Sequence, residues 1–259
     1  LSRGLGDVYK RQDFGRTIES QEFKMDDATN YVVRKPVGVV GLISPWNLPL
    51  YLLSWKIAPA LLMGNTIIAK PSEITPLTAH FLGKLCVKIG LPDGVLNIVH
   101  GYGPEVGQAI VEHSEIKAIS FTGGTSTGKI VAATAAPMFK KLSLELGGKN
   151  ASIVLDDADL EIAVPGVLRS SFLNSGQICL CGSRVLVHSS IYEEFMEKYL
   201  QELKEFNIGP VISEQHRSKV LSYIELAKAE GGLILAGGNI PDKVGAWIEP
   251  TVILSLIHI

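Results

Sequence analysis

The sequence predicts an α/β fold, with an open, doubly wound parallel sheet followed by a second α/β domain. Three observations predict it. Between Val37 and Glu145, five short apolar strand-like runs alternate with longer helical patterns. Glycine-rich turns follow two of those runs, Gly101–Gly107 and Gly123–Gly128. A second alternation of strand and helix patterns opens at Ala151. At 259 residues and 46% apolar, the chain has room for two domains with buried cores.

The elements follow in order. Arg16–Glu19 and Tyr31–Lys35 are β-prone runs around a polar middle, Met25–Asn30, which predicts an antiparallel hairpin. Val37–Ile43 is a continuous β-branched run, as in a strand buried on both faces. Leu48–Leu62 reads as a helix kinked at Pro59, and Thr66–Lys70 as the next strand. Thr75 and Pro76 suit the N-cap and first position of a helix ending near Gly90. Pro92-Asp93-Gly94 turns into a strand at Val95–Val99. Then come a helix at Pro104–His113, a strand at Ile116–Phe121, a helix at Ser126–Ala136 and a strand at Lys141–Glu145. The second set holds strands at Ala151–Leu155 and Arg184–His188, with helices at Leu160–Asn174, Ile191–Phe206 and Glu214–Glu230.

Composition excludes several classes. The formal charge is −2, from 24 basic and 26 acidic residues without a basic stripe, so neither nucleic acid nor an anionic membrane is an expected partner. The uncharged window Val37–Trp55 is long enough to span a bilayer. It is broken by Pro45, Asn47 and Pro49, so it reads as strand, loop and helix. Three cysteines at irregular spacing make no disulfide framework, which fits a reducing cytoplasm. Six scattered histidines have no ligand spacing to the cysteines, so no metal is expected.

Several stretches carry possible chemistry. In F-L-N-S-G-Q-I-C-L-C-G-S-R, Phe172–Arg184, a helical run stops and two thiols, Cys179 and Cys181, precede a strand. A thiol on such a turn is reachable by substrate, and the turn's N–H groups can face an oxyanion. In extended backbone the two cysteines would share a face, so spacing leaves both open. The turns G-Y-G-P-E-V-G and F-T-G-G-T-S-T-G either serve only as strand-to-helix connections or let backbone approach a diphosphate. Lys70 and Glu73, in K-P-S-E, are a solvated charge pair or ligand groups at a strand's carboxyl end. Glu145 leaves a strand into Gly147-Gly148, and Asn47 lies in a loop between Trp46 and Pro49.

Taken together, S-P-W-N, K-P-S-E, F-T-G-G, L-E-L-G-G-K and G-Q-I-C resemble the aldehyde dehydrogenase superfamily, in its order and at similar intervals. The resemblance covers roughly Asp13 to Leu254. It is nearest to the branch acting on hydroxymuconic and aminomuconic semialdehydes, through I-S-P-W-N-L-P-L and S-G-Q-I-C-L-C. It implies a Rossmann-like sheet, NAD as cofactor and oxidation of an aldehyde to a carboxylic acid. Its G-Q-x-C match picks Cys179 as nucleophile, with Asn47 and the Cys179 N–H as oxyanion donors and Glu145 as general base. For the cofactor it implies Ser44, Pro45, Trp46, Lys70, Ser72, Glu73, Gly103, Gly107, Phe121, Thr122, Gly123, Gly124, Glu145, Leu146 and Gly147. A carboxylate at Glu73 would repel a 2′-phosphate, favouring NAD over NADP. The family commonly has F-T-G-S, so Gly124 removes a hydroxyl and would loosen cofactor binding without abolishing it.

The resemblance also divides the chain. Residues 1–12 and 255–259 match nothing in it and read as a non-native leader and tail, frayed native termini being the alternative. Residues 13–36 are expected to form the hairpin of an oligomerisation arm, 37–149 the dinucleotide-binding domain and 150–254 an incomplete catalytic domain. The complete enzyme is expected to be a homo-oligomer. Family members are nearly twice as long, and Glu205–Pro210 joins directly where they usually carry a further G-D-P loop, as if an internal segment were deleted. A chain that stops near Thr251 before completing its second sheet is expected to be poorly stable alone and inactive, a silent fragment retaining at most dinucleotide binding.

Overall fold

A hairpin precedes the first sheet: β1 (Gln21–Lys24) pairs antiparallel with β2 (Thr29–Val32), Gln21 opposite Val32. The structure, a computed structural model, describes residues 21–254. The expected first arm at Arg16–Glu19 lies outside them. The second arm begins earlier than Tyr31, because the reversal closes at Met25 N–H to Ala28 C=O (2.7 Å) and so sets which residues pair.

Two units follow one another, the first ending at Gly147 and the second starting at Gly148. In the first unit, β3 (Val39–Ile43) leads through α1 (Pro49–Leu62) to β4 (Thr66–Lys70), then through α2 (Leu77–Lys88) to β5 (Leu96–Ile98). A single π-helical turn, Gly103–Gly107, leads into the short α3 (Gln108–Glu112). Then come β6 (Ile116–Thr122), α4 (Thr125–Ala135) and β7 (Lys141–Glu145). The strands form one parallel sheet in the order β5-β4-β3-β6-β7. The chain winds outward from β3 to one edge, then restarts at β6 and winds to the other. That is the doubly wound arrangement, with its switch point between β3 and β6.

Alternation along β3 explains the two-sided burial. Val40 and Leu42 pack with Leu53, Ile57 and Ala79 of α1 and α2. Ile43 packs on the opposite face with Ile110, Val111 and Val131 of α3 and α4. On that face Gly41 lets α3 close down, since an added Cβ would lie 2.5 Å from Ile110 Cγ2 and 2.8 Å from Ile119 Cδ1. Helix α1 remains one helix through Pro59. Thr75 does not cap α2. Its hydroxyl instead donates to Trp46 C=O (3.2 Å), and Pro76 takes the cap position.

In the second unit β8 (Ala151–Val154) and β9 (Arg184–Val187) pair in parallel across α5 (Leu160–Phe172). They are followed by α6 (Tyr192–Glu205) and α7 (Glu214–Ala229). Asp159 and Ser213 cap α5 and α7 through hydrogen bonds from Glu161 N–H (2.9 Å) and His216 N–H (3.2 Å). Val164, Leu168, Phe195, Tyr199 and Leu203 form the core between α5 and α6. A further antiparallel pair, β10 (Leu233–Ala236) and β11 (Val252–Leu254), was not expected from the sequence. Ile153 and Leu186 are exposed, so one face of the β8–β9 ladder is bare.

Candidate functional site

Strand register gathers most of the candidate residues of the first unit along one edge. Ile43 lies beside Lys70 and Phe121, and Thr122 beside Glu145, so four strands end level. Beyond those ends lie Ser44–Asn47, Pro71–Glu73, Gly123–Gly124 and Leu146–Gly147, in the crevice where open α/β sheets take ligands. Ser44 N–H donates to Lys70 C=O (3.1 Å) and Gly123 N–H to Glu145 C=O (3.0 Å), which ties neighbouring loops together. Gly107 arrives after β5 and stands over Lys70, whose Cδ would lie 3.8 Å from an added Cβ.

The individual settings differ. Lys70 is 2% exposed and donates to Pro71 C=O (3.2 Å) and Glu73 Oε2 (3.1 Å). Burial alone would raise the Glu73 carboxyl, but a backbone hydrogen bond and Lys70 outweigh it and hold it below the usual carboxylate range. Ser44 is 3% exposed, and its hydroxyl oxygen has no hydrogen-bond partner among the described residues. Such an orphan is costly unless something else meets it.

The glycine turns divide by role. An added Cβ at Gly123 would lie 2.5 Å from the Phe121 ring, and one at Gly128 2.5 Å from Leu146 Cδ2, so these two serve packing. Gly103 has nothing within 4 Å, and Gly124 only Ser126 Oγ at 4.0 Å, so these face open space. Gly124 is also the N-cap of α4 and has no side chain to bond the first-turn N–H groups. Those donors and the helix's positive end face outward, a setting that suits an anion.

Sequence reasoning passed over Lys56. It sits mid-helix in α1, is 8% exposed, and donates to Ser120 Oγ (2.8 Å) across the sheet face. Glu145 projects on that face, since Leu142 and Leu144 pack on the other. Burial lowers the Lys56 ammonium from 10.5 to about 8, and Glu145 opposes the shift. The signal was there: one lysine in an otherwise uncharged helix, P-L-Y-L-L-S-W-K-I-A-P-A-L-L. A base lowered on folding binds fewer protons than when unfolded between about 8 and 10.5, so stability rises with pH through that window. Lys56→Met is expected to raise the melting temperature at neutral pH by about 2–4 °C and to flatten that rise. Identical melting curves against pH in the two proteins would contradict it.

Cys179 belongs to the second unit. After α5 the chain makes three left-handed residues, Asn174 (φ 54°), Ser175 (φ 57°) and Gly176 (φ 74°). Two of these are non-glycine, a strained run of the kind found at working sites. It is held by Ser175 Oγ donating to Gly209 C=O (2.7 Å) and by Ile212 N–H donating to Gln177 Oε1 (2.9 Å). Cys181 N–H then bonds Ile178 C=O (3.0 Å), closing a turn with Cys179 and Leu180 at its corners. The turn separates the thiols. Cys179 is half-buried, whereas Cys181 is 8% exposed and its thiol points to Leu173 C=O at 3.8 Å. Burial pushes the Cys181 thiol up, and Cys179 adds to the shift. A thiol that resists ionisation is a poor nucleophile.

The sequence model of the aldehyde dehydrogenase family matches residues 8–257. The chain belongs to the aldehyde dehydrogenase family. It is 45% identical over 277 residues to the 2-aminomuconic 6-semialdehyde dehydrogenase of Pseudomonas sp, covering 99% of this chain and 56% of that protein. To the human 2-aminomuconic semialdehyde dehydrogenase it is 49% identical over 244 residues, 88% of this chain and 50% of the relative. Among solved structures, the betaine aldehyde dehydrogenase of Staphylococcus aureus in complex with NAD+ superposes with a TM-score of 0.90 at 42% identity. It matches 94% of this chain and 52% of its own. An aldehyde dehydrogenase NAD+ complex from Bacillus cereus gives the same four figures. The chain thus spans about half the length of the relatives it matches. The Pseudomonas alignment sets 277 positions against 259 residues, so at least 18 of its positions have no counterpart here. Among the described residues no helix is long and apolar enough to cross a membrane.

Proposed function

We propose that this chain supplies the dinucleotide-binding and cysteine-bearing parts of an NAD-dependent aldehyde dehydrogenase, oxidising an aldehyde to a carboxylic acid. The observation that carries the reading is the Cys179 turn, where a half-buried thiol sits at a turn corner and Cys181 is buried beneath it. NAD fits the carboxyl edge of the first unit. The orphan Ser44 hydroxyl, the uncapped start of α4 and the open sides of Gly103 and Gly124 await a polar, anionic ligand. Lys70, Ser72 and Glu73 would hold ribose hydroxyls. Phe121, Thr122, Gly123, Gly124 and Gly107 would hold the diphosphate side. Ser44, Pro45, Trp46, Glu145, Leu146 and Gly147 complete the cofactor set. When bound, NAD supplies the hydride acceptor.

The chain's own residues perform the remaining steps. An unassisted thiol is ionised to only a few per cent at neutral pH, its pKa being about 8.5, so Cys179 needs help from backbone dipoles and Glu145. Its thiolate attacks the carbonyl carbon, and the Asn47 amide and Cys179 N–H receive the oxyanion. Losing one such donor typically costs about 3 kcal/mol of barrier. Cys179 then carries the acyl group as a thioester, and Glu145 takes the proton of the water that releases the acid. Lys56 places a positive charge near Glu145.

A muconic-type semialdehyde is the proposed substrate, after the names of the Pseudomonas and human relatives. The proposed compartment is the cytoplasm, on three free thiols. The exposed Phe23, Tyr31 and Val32 of the β1–β2 hairpin support a homo-oligomer for the complete enzyme. A second reading is a chain that binds dinucleotide without turnover, because the cofactor edge lies within the first unit whereas Cys179 belongs to the second. Absorbance of nicotinamide reduction across an aldehyde panel, with calorimetric titration of NAD alongside, separates the two. Reduction supports the enzyme, binding without reduction supports the second reading, and neither signal overturns both.

A further inference from the structure

The turn that presents Cys179 is anchored to a residue outside it. Asn150, at the start of β8, donates through Nδ2 to Cys179 C=O (2.7 Å) and to Cys181 C=O (3.3 Å). Its own backbone carbonyl accepts from Arg184 N–H (3.1 Å), where the chain enters β9. Both ends of the segment from Cys179 to Arg184 therefore close on one residue. Room for the amide is provided by Gly148, where an added Cβ would lie 3.3 Å from Asn150 Oδ1. The middle of the segment is pressed against α5 and β8 at Gly182. Ser171 Oγ donates to Gly182 C=O (2.8 Å), and an added Cβ would strike Ser152 Oγ at 2.2 Å.

We infer that Asn150 is a positioning residue for the reactive thiol: its amide fixes the peptide group that follows Cys179 and thereby the direction in which the sulfur is presented. The physical reason is rotational. The Ile178–Cys181 hydrogen bond restrains the turn as a whole but leaves the Cys179 carbonyl free to rock, and that rocking turns the side chain. Donation from Asn150 stops it. Supporting shells of this kind hold a working group to its geometry.

The inference rests on the reading of Cys179 as the reactive thiol, and one experiment separates the two. The 259-residue chain is treated with iodoacetamide at one fixed pH, and alkylation of each cysteine is followed by peptide mass spectrometry. In the parent, label on Cys179 ahead of Cys181 is expected; the reverse order sinks the reading itself. In Asn150→Ala, Cys179 alkylation is expected to slow about fivefold to tenfold, the size of one lost hydrogen bond. Asn150→Ser keeps one donor and is expected to recover part of the rate. Asn150→Asp turns a donor into an acceptor facing two carbonyls and is expected to be slowest. Circular dichroism and melting of each variant identify those that keep the fold. If the Asp variant unfolds, the Ala and Ser variants decide. Folded variants with the parent's Cys179 rate would overturn the inference, as would unfolding of both Ala and Ser, which would make Asn150 a fold determinant.

Discussion

Cys179→Ala, with these residues embedded in a full-length family member, is expected to lower aldehyde oxidation by at least about 10⁴-fold while NAD still binds. No other side chain of the turn can replace the sulfur. Leu180 is its other corner, and Cys181 is buried beneath it with its thiol directed at Leu173 C=O. Cys181→Ala is accordingly expected to keep most of the activity, losing only packing beneath the turn. Steady-state rates with a saturating aldehyde, with NAD affinity measured alongside, check both variants. A dead Cys181→Ala together with an active Cys179→Ala would reverse the assignment.

Glu145→Gln is expected to separate the two halves of the reaction. The amide keeps the size of the side chain at the end of β7 but cannot accept a proton from water. Acyl transfer to Cys179 should proceed once, and hydrolysis of the thioester should slow by about 10²–10⁴-fold. Rapid mixing is expected to show a burst of nicotinamide reduction close to one per site, followed by a slow steady rate. Equal loss of burst and steady rate would place Glu145 in thiol activation instead. Lys56 adds a condition. Its ammonium titrates at about 8, so the charge near Glu145 fades above that pH and hydrolysis of the thioester is expected to vary there in the parent.

Much of the first unit was legible in the sequence, because its signals are local. A β-branched run such as Val37–Ile43 has one stable use in an α/β chain, a strand covered on both faces, and the structure uses Val39–Ile43 so. The candidate residues fall at strand ends for the same reason: glycine, proline and capping residues mark where apolar runs stop. Local signals failed where distant parts decide the outcome. Thr75 reads as a helix cap, but the hydroxyl has a better-placed acceptor in Trp46 C=O, 29 residues away in sequence. Pro104–Gly107 reads as the start of an α-helix, whereas Gly103–Gly107 forms a π-helical turn ahead of Gln108. β10 and β11 are short and 15 residues apart, and only their mutual pairing makes either a strand.

The sequence by itself determined most of the elements this chain forms, β10 and β11 excepted, roughly where each ends, and which side chains stand at those ends, since periodicity and turn chemistry act over a few residues. The tertiary structure alone decided the strand order β5-β4-β3-β6-β7, which brings the loops after β3 and β6 side by side at the switch point. It alone gave the two thiols different surroundings. A two-residue spacing puts both thiols on one face of extended backbone, whereas the Ile178–Cys181 turn buries one and leaves the other accessible. It alone showed Lys56 on the face of Glu145, and Asn150 beneath the turn. The physical reason is the same in each case. Burial, strand pairing and hydrogen bonds between residues far apart in sequence depend on where the folded backbone carries them, and no short window of sequence contains that information.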